Sequence, residues 1–275
     1  MQRLPLSGLR LATYLINLDR APERLAAMRA HLGDWPHERV PAVDGALLRF
    51  PHPDFSELSY KLLHGRRTTP PEVGCYLSHV ECARRFMASG ADLALVLEDD
   101  VSLAPDLLDA LDRAALRGDR WDLLRLSTMS SGRALPMTPL GNGHSLGVAL
   151  TREKGAGAYV LNRRAGAWIA ELLPMRLAFD IAFDLEFFRG LKAAFVLPLP
   201  ADQRSDHPSQ IQVSLRRFRL PRWRYLTVLP YRTALETARL VCRGARLIQG
   251  RLAPPSAARA PAPAAPTAPR APPPS

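Results

Sequence analysis

Two groups of carboxylates are the residues of this sequence best suited to chemistry. Glu98, Asp99 and Asp100 are consecutive, and Asp180 and Asp184 lie four residues apart. Adjacent carboxylates raise one another's pKa unless a cation joins them, and hard divalent ions prefer oxygen ligands. A carboxylate beside aromatic side chains tends to have a raised pKa, which suits a general base. The sequence therefore predicts a cation site at the first group and a proton acceptor at the second.

The first carboxylate group ends a predicted buried strand. Residues 93–97 form an unbroken apolar run, which is typical of a strand covered on both faces. In open α/β sheets, ligands bind at the carboxyl ends of such strands. Along an extended chain Glu98 and Asp100 point to one side and Asp99 to the other, so we expect Glu98 and Asp100 to share one ion. An acidic loop that caps the next helix is the alternative interpretation.

The second carboxylate group lies on a predicted helix that also carries Phe179, Phe183 and Phe187. A spacing of four residues places Asp180 and Asp184 on the same helical face. Either carboxylate could then take a proton from a substrate hydroxyl. The alternative is that Asp180 caps the helix and the other acids are simply exposed.

A third polar cluster lies where the first predicted strand, residues 11–18, turns into a helix. Its members are Asn17, Asp19, Arg20 and Arg24. In α/β folds this strand-to-helix corner is a nucleotide site. An equally good interpretation is that Asp19 only caps the helix and that the arginines are solvated.

The alternation of strands and helices predicts an α/β sandwich. A strong helix opens at Pro71 and carries Ser78 and His79, although a single His on a helix is more often structural than catalytic. Residues 127–145 are rich in Ser, Gly and Pro, which predicts a long loop of the kind that often forms a lid.

The net charge of +11 is concentrated at the C-terminus. Residues 214–251 contain ten Arg and one Glu, and the last 24 residues add two Arg, so residues 1–213 carry no net charge. Three Cys without a CxxC spacing favour reduced thiols in a cytosolic protein. We see no signal peptide and no apolar run near the roughly 18 residues that span a bilayer.

Residues 214–251 predict a basic amphipathic helical segment. From residue 231, one predicted face carries Arg232, Glu236, Arg239, Arg243 and Arg246, and the other carries Tyr231, Leu235, Ala238, Val241, Cys242 and Ile248. This pattern favours a helix that lies in a membrane interface, where anionic lipids attract it by about 1 kcal/mol per basic residue. Binding of nucleic acid, or packing of the helix on the body of the protein, are the alternatives. Residues 252–275, almost all Pro, Ala and Arg, predict a disordered tail.

Several stretches, taken in order, resemble glycosyltransferase family 25, the bacterial lipopolysaccharide and lipooligosaccharide glycosyltransferases. They are residues 14–24, Val43-Asp44-Gly45, the helix from Glu72 to His79, the acidic strand end from Leu97 to Val101, the strand from Gly155 to Leu161, and Phe179-Asp180. The resemblance extends over residues 11–211. The sequence departs from the family pattern at Pro71 (usually Gly), Ala156 (often Thr) and Ala178 (often Pro).

The resemblance implies a GT-A-like, Rossmann-type α/β/α sandwich with a mixed central sheet in residues 1–213. It implies an inverting transferase that moves a sugar, most often galactose, from a UDP-sugar to a lipopolysaccharide-type, lipid-linked acceptor. A divalent ion, Mn²⁺ or Mg²⁺, would bridge the donor diphosphate. The protein would then act in the cytoplasm, at the anionic inner face of the membrane, and we expect no nucleic-acid partner.

The resemblance also assigns roles to single residues. Asp100 is the expected first metal ligand, with Glu98 and then His207 as further ligands, and Glu98 or Asp99 could instead bind the ribose. Asp180 is the expected base and Asp184 the second choice. The residues expected near the nucleotide, sugar or diphosphate are Asn17, Asp19, Arg20, Arg24, Ser78 and His79. The alternative function is a peripheral membrane or nucleic-acid binding protein with a degenerate enzyme domain, against which the intact carboxylates argue.

Overall fold

The fold is a single mixed β-sheet with helices on both faces, as seen in a computed structural model that describes residues 1–130, 134–203 and 220–252. The described α-helices are α1 (Pro22–Leu32), α2 (Glu57–His64), α3 (Pro70–Ala88), α4 (Leu107–Ala115), α5 (Arg163–Ala170), α6 (Phe179–Ala182) and α7 (Arg224–Leu252). The described strands are β1 (Gln2–Arg3), β2 (Arg10–Asn17), β3 (Glu38–Pro41), β4 (Leu93–Glu98), β5 (Val101–Leu103), β6 (Leu123–Arg125), β7 (Ala134–Gly141), β8 (His144–Ala149), β9 (Ala158–Asn162), β10 (Ala193–Leu197) and β11 (Ala201–Gln203).

The sheet has nine described strands in the order β1-β2-β4-β9-β6-β10-β8-β7, with β3 paired to β2. Strand β2 is parallel to β3 and β4, and β6 is parallel to β10, whereas β9 is antiparallel to both of its neighbours. Strands β5 and β11 form a separate antiparallel pair beside the end of β4. The expectation of an α/β fold with a mixed central sheet is therefore confirmed.

Strand β4 shows why its sequence is continuously apolar. Leu93, Leu95 and Leu97 point to one core, which also receives residues of α1 and α4, while Ala94 and Val96 point to a second core that includes α3 and α5. Successive side chains of a strand alternate between the faces, so a strand covered on both faces needs apolar residues at every position. The carboxylates begin at Glu98, the last residue of β4.

The lid predicted for residues 127–145 is wrong for most of that segment. Strands β7 and β8 form a hairpin at the edge of the sheet, and its turn contains Gly141, Asn142 and Gly143, all with positive φ. Because β7 is an edge strand, it tolerates Pro136 and Pro139, which donate no backbone hydrogen bond. The Asn-Gly turn was the local signal for a hairpin.

Helix α7 packs on the body of the protein through its arginines. Arg239 and Arg243 are 0% and 2% exposed, and Arg246 donates to the carbonyl oxygens of Ala193 and Arg120 at 2.5 and 2.9 Å. The face of the helix that carries the arginines was expected to be exposed, but Arg239 and Arg243 on that face are buried. Val241 and Ile248, assigned to the apolar face, are exposed, although Leu235 is buried as expected for an apolar residue. Of the interpretations of this segment, packing on the body explains the arginines.

Arg239 and Arg243 of α7 are buried because they pair with the buried carboxylates of Asp184 and Glu186. Arg243 lies 2.8 Å from Asp184 and 2.7 Å from Glu186, and Arg239 lies 3.0 Å from Asp184. Arg125 on β6 completes this buried network at 3.3 Å from Asp184. A buried charge is tolerated only when it is paired, so the network fixes α7 to the segment after α6.

Among the described helices, none combines the length and the apolar character that a bilayer span requires.

Candidate active site

The acidic group lies at one edge of the sheet, beside the strand-to-helix corner predicted for nucleotide binding. Strands β2 and β4 are parallel neighbours that pair Ile16 with Glu98, so their carboxyl ends bring Asn17 next to Asp99. The Asn17 amide donates to Asp99 Oδ2 at 2.6 Å. Arg24, on the first turn of α1, pairs with Asp99 and lies 3.4 Å from Asp100. The predicted corner and the predicted acidic group therefore form one site.

Glu98 and Asp100 converge on one amide, as expected from their alternation with Asp99. The Gln203 Nε2 group donates to Glu98 Oε2 at 2.9 Å and to Asp100 Oδ1 at 3.2 Å. Gln203 reaches them because β11 pairs with β5 and sets Gln203 opposite Val101. The backbone of Glu98 is also held, since its N–H donates to the Gly157 carbonyl at 2.8 Å.

The three carboxylates differ in their electrostatic environment. Burial, with the negative charge of Glu98, raises the pKa of Asp100 from 3.8 to about 7. Burial also raises the pKa of Asp99, against the opposing effects of Asn17 and Arg24. Burial opposes the ionisation of Glu98 as well, but its contacts with His79, the charge of Arg24 and the hydrogen bond from Gln203 together lower the Glu98 pKa. The edge thus holds more negative charge than its partners compensate, which suits the binding of a cation.

His79 connects the acidic group to the segment that carries Asp180. Its Nε2 lies 3.1 Å from Glu98 Oε1 and its Nδ1 lies 3.0 Å from the Tyr159 hydroxyl. A carboxylate only accepts hydrogen bonds, so Nε2 is the donor, and in the neutral ring Nδ1 accepts from Tyr159. The imidazole stacks on Phe179 with 4.1 Å between ring centroids and 3° between ring planes. These contacts hold the His79 ring in one orientation between Glu98 and Phe179.

Asp180 is the more accessible of the two candidate bases. Its side chain is 24% exposed and lies 3.3 Å from Arg152. Cys75 stands between the two carboxylate groups: burial raises its pKa first, and the charges of Glu98 and Asp180 raise it further. Asp180 and the acidic group thus act on the same small region of the protein.

Asp184 has a different environment from Asp180. Its side chain is 1% exposed and is enclosed by the three arginines of the buried network. A base must reach the hydroxyl whose proton it takes, and the described residues close this carboxylate off from solvent. The spacing of four residues predicted one shared helical face, but α6 ends at Ala182. Asp184 lies in the 3₁₀ helix that follows, Phe183–Arg189, and its side chain is buried.

Ser78 also has a structural environment. Its hydroxyl donates to the Gly74 carbonyl at 2.7 Å and accepts from the Val43 N–H at 2.9 Å, and the side chain is buried. A Cβ at Gly74 would lie 2.3 Å from the Val43 carbonyl, so only glycine allows this close approach. These residues fix α3 against the loop at Asp44, and the place predicted for Ser78 near the sugar or diphosphate stays a prediction.

Asp19 and Arg20 lie on the surface of the corner. Asp19 is not the helix cap, since the N-cap of α1 is Ala21 with Pro22 in the first turn, and Asp19 pairs with Arg39 instead. Arg20 lies 2.9 Å from Asp44, whose carboxylate caps the short helix at residues 45–47. Both residues remain at the predicted site, but each has a protein partner.

Cys75, His79 and Glu98 form the one group of described Cys, His and acidic residues whose ligand atoms all lie within 4.8 Å of one another. The Cys75 sulfur lies 3.9 Å from Glu98 Oε1. A thiolate would favour a soft ion, but the raised pKa of Cys75 keeps the sulfur protonated. His207, predicted as a further ligand, lies outside the described residues.

Comparison with known proteins supports the resemblance over the first half of the chain. Residues 11–134 match the family described as glycosyltransferase family 25 (LPS biosynthesis protein). This stretch, a little under half of the chain, is similar to glycosyltransferase family 25. The matched residues contain the Asn17–Arg24 corner, α3 and the acidic group, and they end before Asp180.

The relatives are longer proteins. A glycosyltransferase 25 family member of Aedes aegypti is 34% identical over 124 residues, which are 40% of this chain and 20% of that protein. A human relative named inactive glycosyltransferase 25 family member 3 is 34% identical over 128 residues, or 41% of this chain and 21% of the human protein. The chain therefore spans about a fifth of the length of these curated relatives.

Proposed function

We propose that this protein is an inverting, metal-dependent glycosyltransferase of the GT-A type that transfers a sugar, galactose in the first instance, from a UDP-sugar. The observation that supports this proposal best is the convergence of Glu98 and Asp100 on one position at the carboxyl edge of the sheet. The family match of residues 11–134 and the adjacent Asn17–Arg24 corner also support it.

The residues at this edge fit a hard divalent ion, Mn²⁺ or Mg²⁺. Glu98 and Asp100 offer oxygen ligands of the preferred type, and the buried Gln203 Oε1 has no hydrogen-bond partner among the described residues. When bound, the ion would neutralise the negative charge that develops on the leaving nucleoside diphosphate. Asp99, held by Asn17 and Arg24, would face the nucleotide side of the site.

Asp180 would act as the base. As the acceptor oxygen forms its bond to the anomeric carbon, the Asp180 carboxylate would take the proton of the acceptor hydroxyl, and the bond from the sugar to the diphosphate would break. Arg152 would orient Asp180 through their contact at 3.3 Å. Asp184 would serve the buried network instead.

The acceptor would be a lipid-linked glycan of the lipopolysaccharide type, reached at the inner face of the cytoplasmic membrane. Helix α7 supports this proposal through the face it leaves uncovered rather than through its arginines. Its large exposed apolar residues, with Trp223 just before it, are Leu226, Leu229, Leu240, Val241, Ile248 and Leu252. Thr233, Thr237 and Gly244 occupy intermediate positions on the same side of the helix. The positive charge of residues 214–251 is complementary to anionic lipid.

Flotation with vesicles tests the membrane proposal. Point variants are preferable to truncation, because removing α7 would also remove Arg239 and Arg243 from the buried network. We expect Leu240→Glu with Ile248→Glu to abolish binding to anionic vesicles, while Thr237→Ser retains it. Equal flotation of all variants, or a preference for RNA over vesicles, would remove the membrane from the proposal.

The alternative is a binding protein with a degenerate enzyme domain, which gains weak support because some relatives are named inactive. A screen of UDP-, GDP- and CMP-sugars with and without Mn²⁺, read as nucleotide release, separates the two. Release from a UDP-sugar only with Mn²⁺ supports the transferase. Vesicle binding without turnover of any donor supports the alternative.

A further inference from the structure

Gln203 occupies the position that a shared cation would take. Its Nε2 group stands 2.9 Å from Glu98 Oε2 and 3.2 and 3.5 Å from the two oxygens of Asp100. Two carboxylates that converge on one point repel each other unless positive charge or N–H hydrogen lies between them. The N–H group of Gln203 therefore reduces the repulsion between the two carboxylates.

The other half of the same amide is left without a partner. Gln203 Oε1 is buried and accepts no hydrogen bond from any described residue. It lies against two glycines, because a Cβ at Gly157 would stand 3.0 Å from it and a Cβ at Gly155 would stand 3.4 Å from it. A buried carbonyl oxygen without a donor is unfavourable. This arrangement is therefore favourable only while the amide nitrogen serves the two carboxylates.

We propose that Gln203 is a ligand of the divalent cation and that its amide reverses when the cation binds. In the cation-free protein Nε2 bridges Glu98 and Asp100. In the cation-bound protein a rotation about the Cγ–Cδ bond turns Oε1 to the ion, so that Glu98, Asp100 and Gln203 each give an oxygen ligand. This inference rests on the proposed donor cation, and it assigns a role to a residue that no sequence motif marks.

The placement of Gln203 suits a ligand. Its strand, β11, is fixed to β5 by backbone pairing from Ala201 to Gln203, so the side chain starts from a rigid element. The resulting set contains only oxygen atoms, which is the preference of Mn²⁺ and Mg²⁺. An ion held by these three ligands would lie away from the Cys75 sulfur, on the side of the Glu98 carboxylate that does not contact His79.

Titration of Mn²⁺, followed by the electron paramagnetic resonance signal of the free ion, tests the inference without turnover. Gln203→Leu removes the ligand oxygen. We expect it to weaken Mn²⁺ binding by at least the ~10-fold that loss of an outer-shell partner costs. Gln203→Glu keeps an oxygen but loses the N–H group, so we expect a lower melting temperature without metal and a larger rise on adding Mn²⁺. Asp202→Asn, an exposed neighbour, is the matched control and should bind Mn²⁺ like the wild type.

Two different results would overturn different statements. If Gln203→Leu binds Mn²⁺ as tightly as the wild type while Asp100→Asn does not bind it, Gln203 is not a ligand and the donor cation stands. If Asp100→Asn retains full Mn²⁺ affinity, the proposed cation site itself fails. Co²⁺ bound to a thiolate gives a charge-transfer absorption band. If the Co²⁺ form shows this band and Cys75→Ser loses it, the ion binds Cys75, which would contradict both the Gln203 ligand and the proposed cation site. If Gln203→Leu does not fold, Gln203→Asn, whose amide is one methylene shorter, carries the same expectation.

Discussion

The protein contains two clusters of carboxylates and arginines that look similar in sequence and are opposite in structure. The edge cluster, Glu98, Asp99 and Asp100, has Arg24 as its arginine and is partly open to solvent. The buried network has two carboxylates, Asp184 and Glu186, and the three arginines Arg125, Arg239 and Arg243. The first cluster is short of positive charge, whereas each carboxylate of the second is paired with at least one arginine.

This difference separates a site from a structural contact. Uncompensated carboxylates at an open edge gain from a cation, and the pKa values of Asp99 and Asp100 are raised there. Compensated charges in the interior exchange nothing with solvent, but they lose several kcal/mol when one partner is removed. Charge balance and exposure, rather than the number of charged residues, distinguish the two clusters.

Asp184→Asn gives the largest expected effect on stability. Because three buried guanidinium groups would lose an ionised partner, we expect unfolding free energy to fall by about 3–5 kcal/mol, measured by urea denaturation. Asp180→Asn, four residues away and partly exposed, is the control and should change stability by roughly 0.5 kcal/mol or less. Equal stability of the two variants would contradict the structural role of Asp184.

Asp180→Asn should affect the reaction instead. Loss of the base should lower kcat by roughly 10²–10⁴-fold, while the affinity for the UDP-sugar stays unchanged in a binding titration. An Asp180→Asn enzyme with normal turnover, together with a folded but inactive Asp184→Asn enzyme, would reverse the assignment of the base.

The pH dependence of the edge cluster is a smaller and more specific test. The pKa of Asp100 is raised to about 7 in the folded protein. Asp100 therefore stabilises the fold fully below the pKa that it has in the unfolded chain, and this stabilisation is lost as the pH rises through 7. Mn²⁺ must displace the same proton, so its affinity should rise at most about tenfold per pH unit below 7 and level off above it. Asp100→Asn should abolish this pH dependence of stability, measured by thermal denaturation in matched buffers. A wild-type stability that does not change between pH 5 and 8 would argue against the raised pKa.

The sequence predicted the edge cluster well because its determinants are local. An apolar run followed directly by carboxylates marks a buried strand and its end, and the alternation of side chains predicted that Glu98 and Asp100 act together. The contribution of Gln203 could not be predicted in this way. It depends on the pairing of β11 with β5, about a hundred residues apart in sequence, and no local pattern marks it.

Helix α7 illustrates the opposite case. Its amphipathic pattern predicted a helix, but the side that faces the body depends on carboxylates elsewhere in the chain. Arginine on a helix face is normally solvated, and Arg239 and Arg243 are buried because Asp184 and Glu186 meet them. The hairpin of β7 and β8 was missed for a related reason, since its prolines are acceptable only on the edge strand that the whole sheet defines.

The most direct test of the central claim is nucleotide release from UDP-galactose by the wild type and by Asp100→Asn, with Mn²⁺ and with a chelator. We predict release by the wild type that requires Mn²⁺ and is lost in Asp100→Asn without any loss of thermal stability. Asp202→Asn should retain the wild-type rate. Full, Mn²⁺-dependent release by Asp100→Asn would contradict the account, because the edge cluster would then have no part in binding the donor.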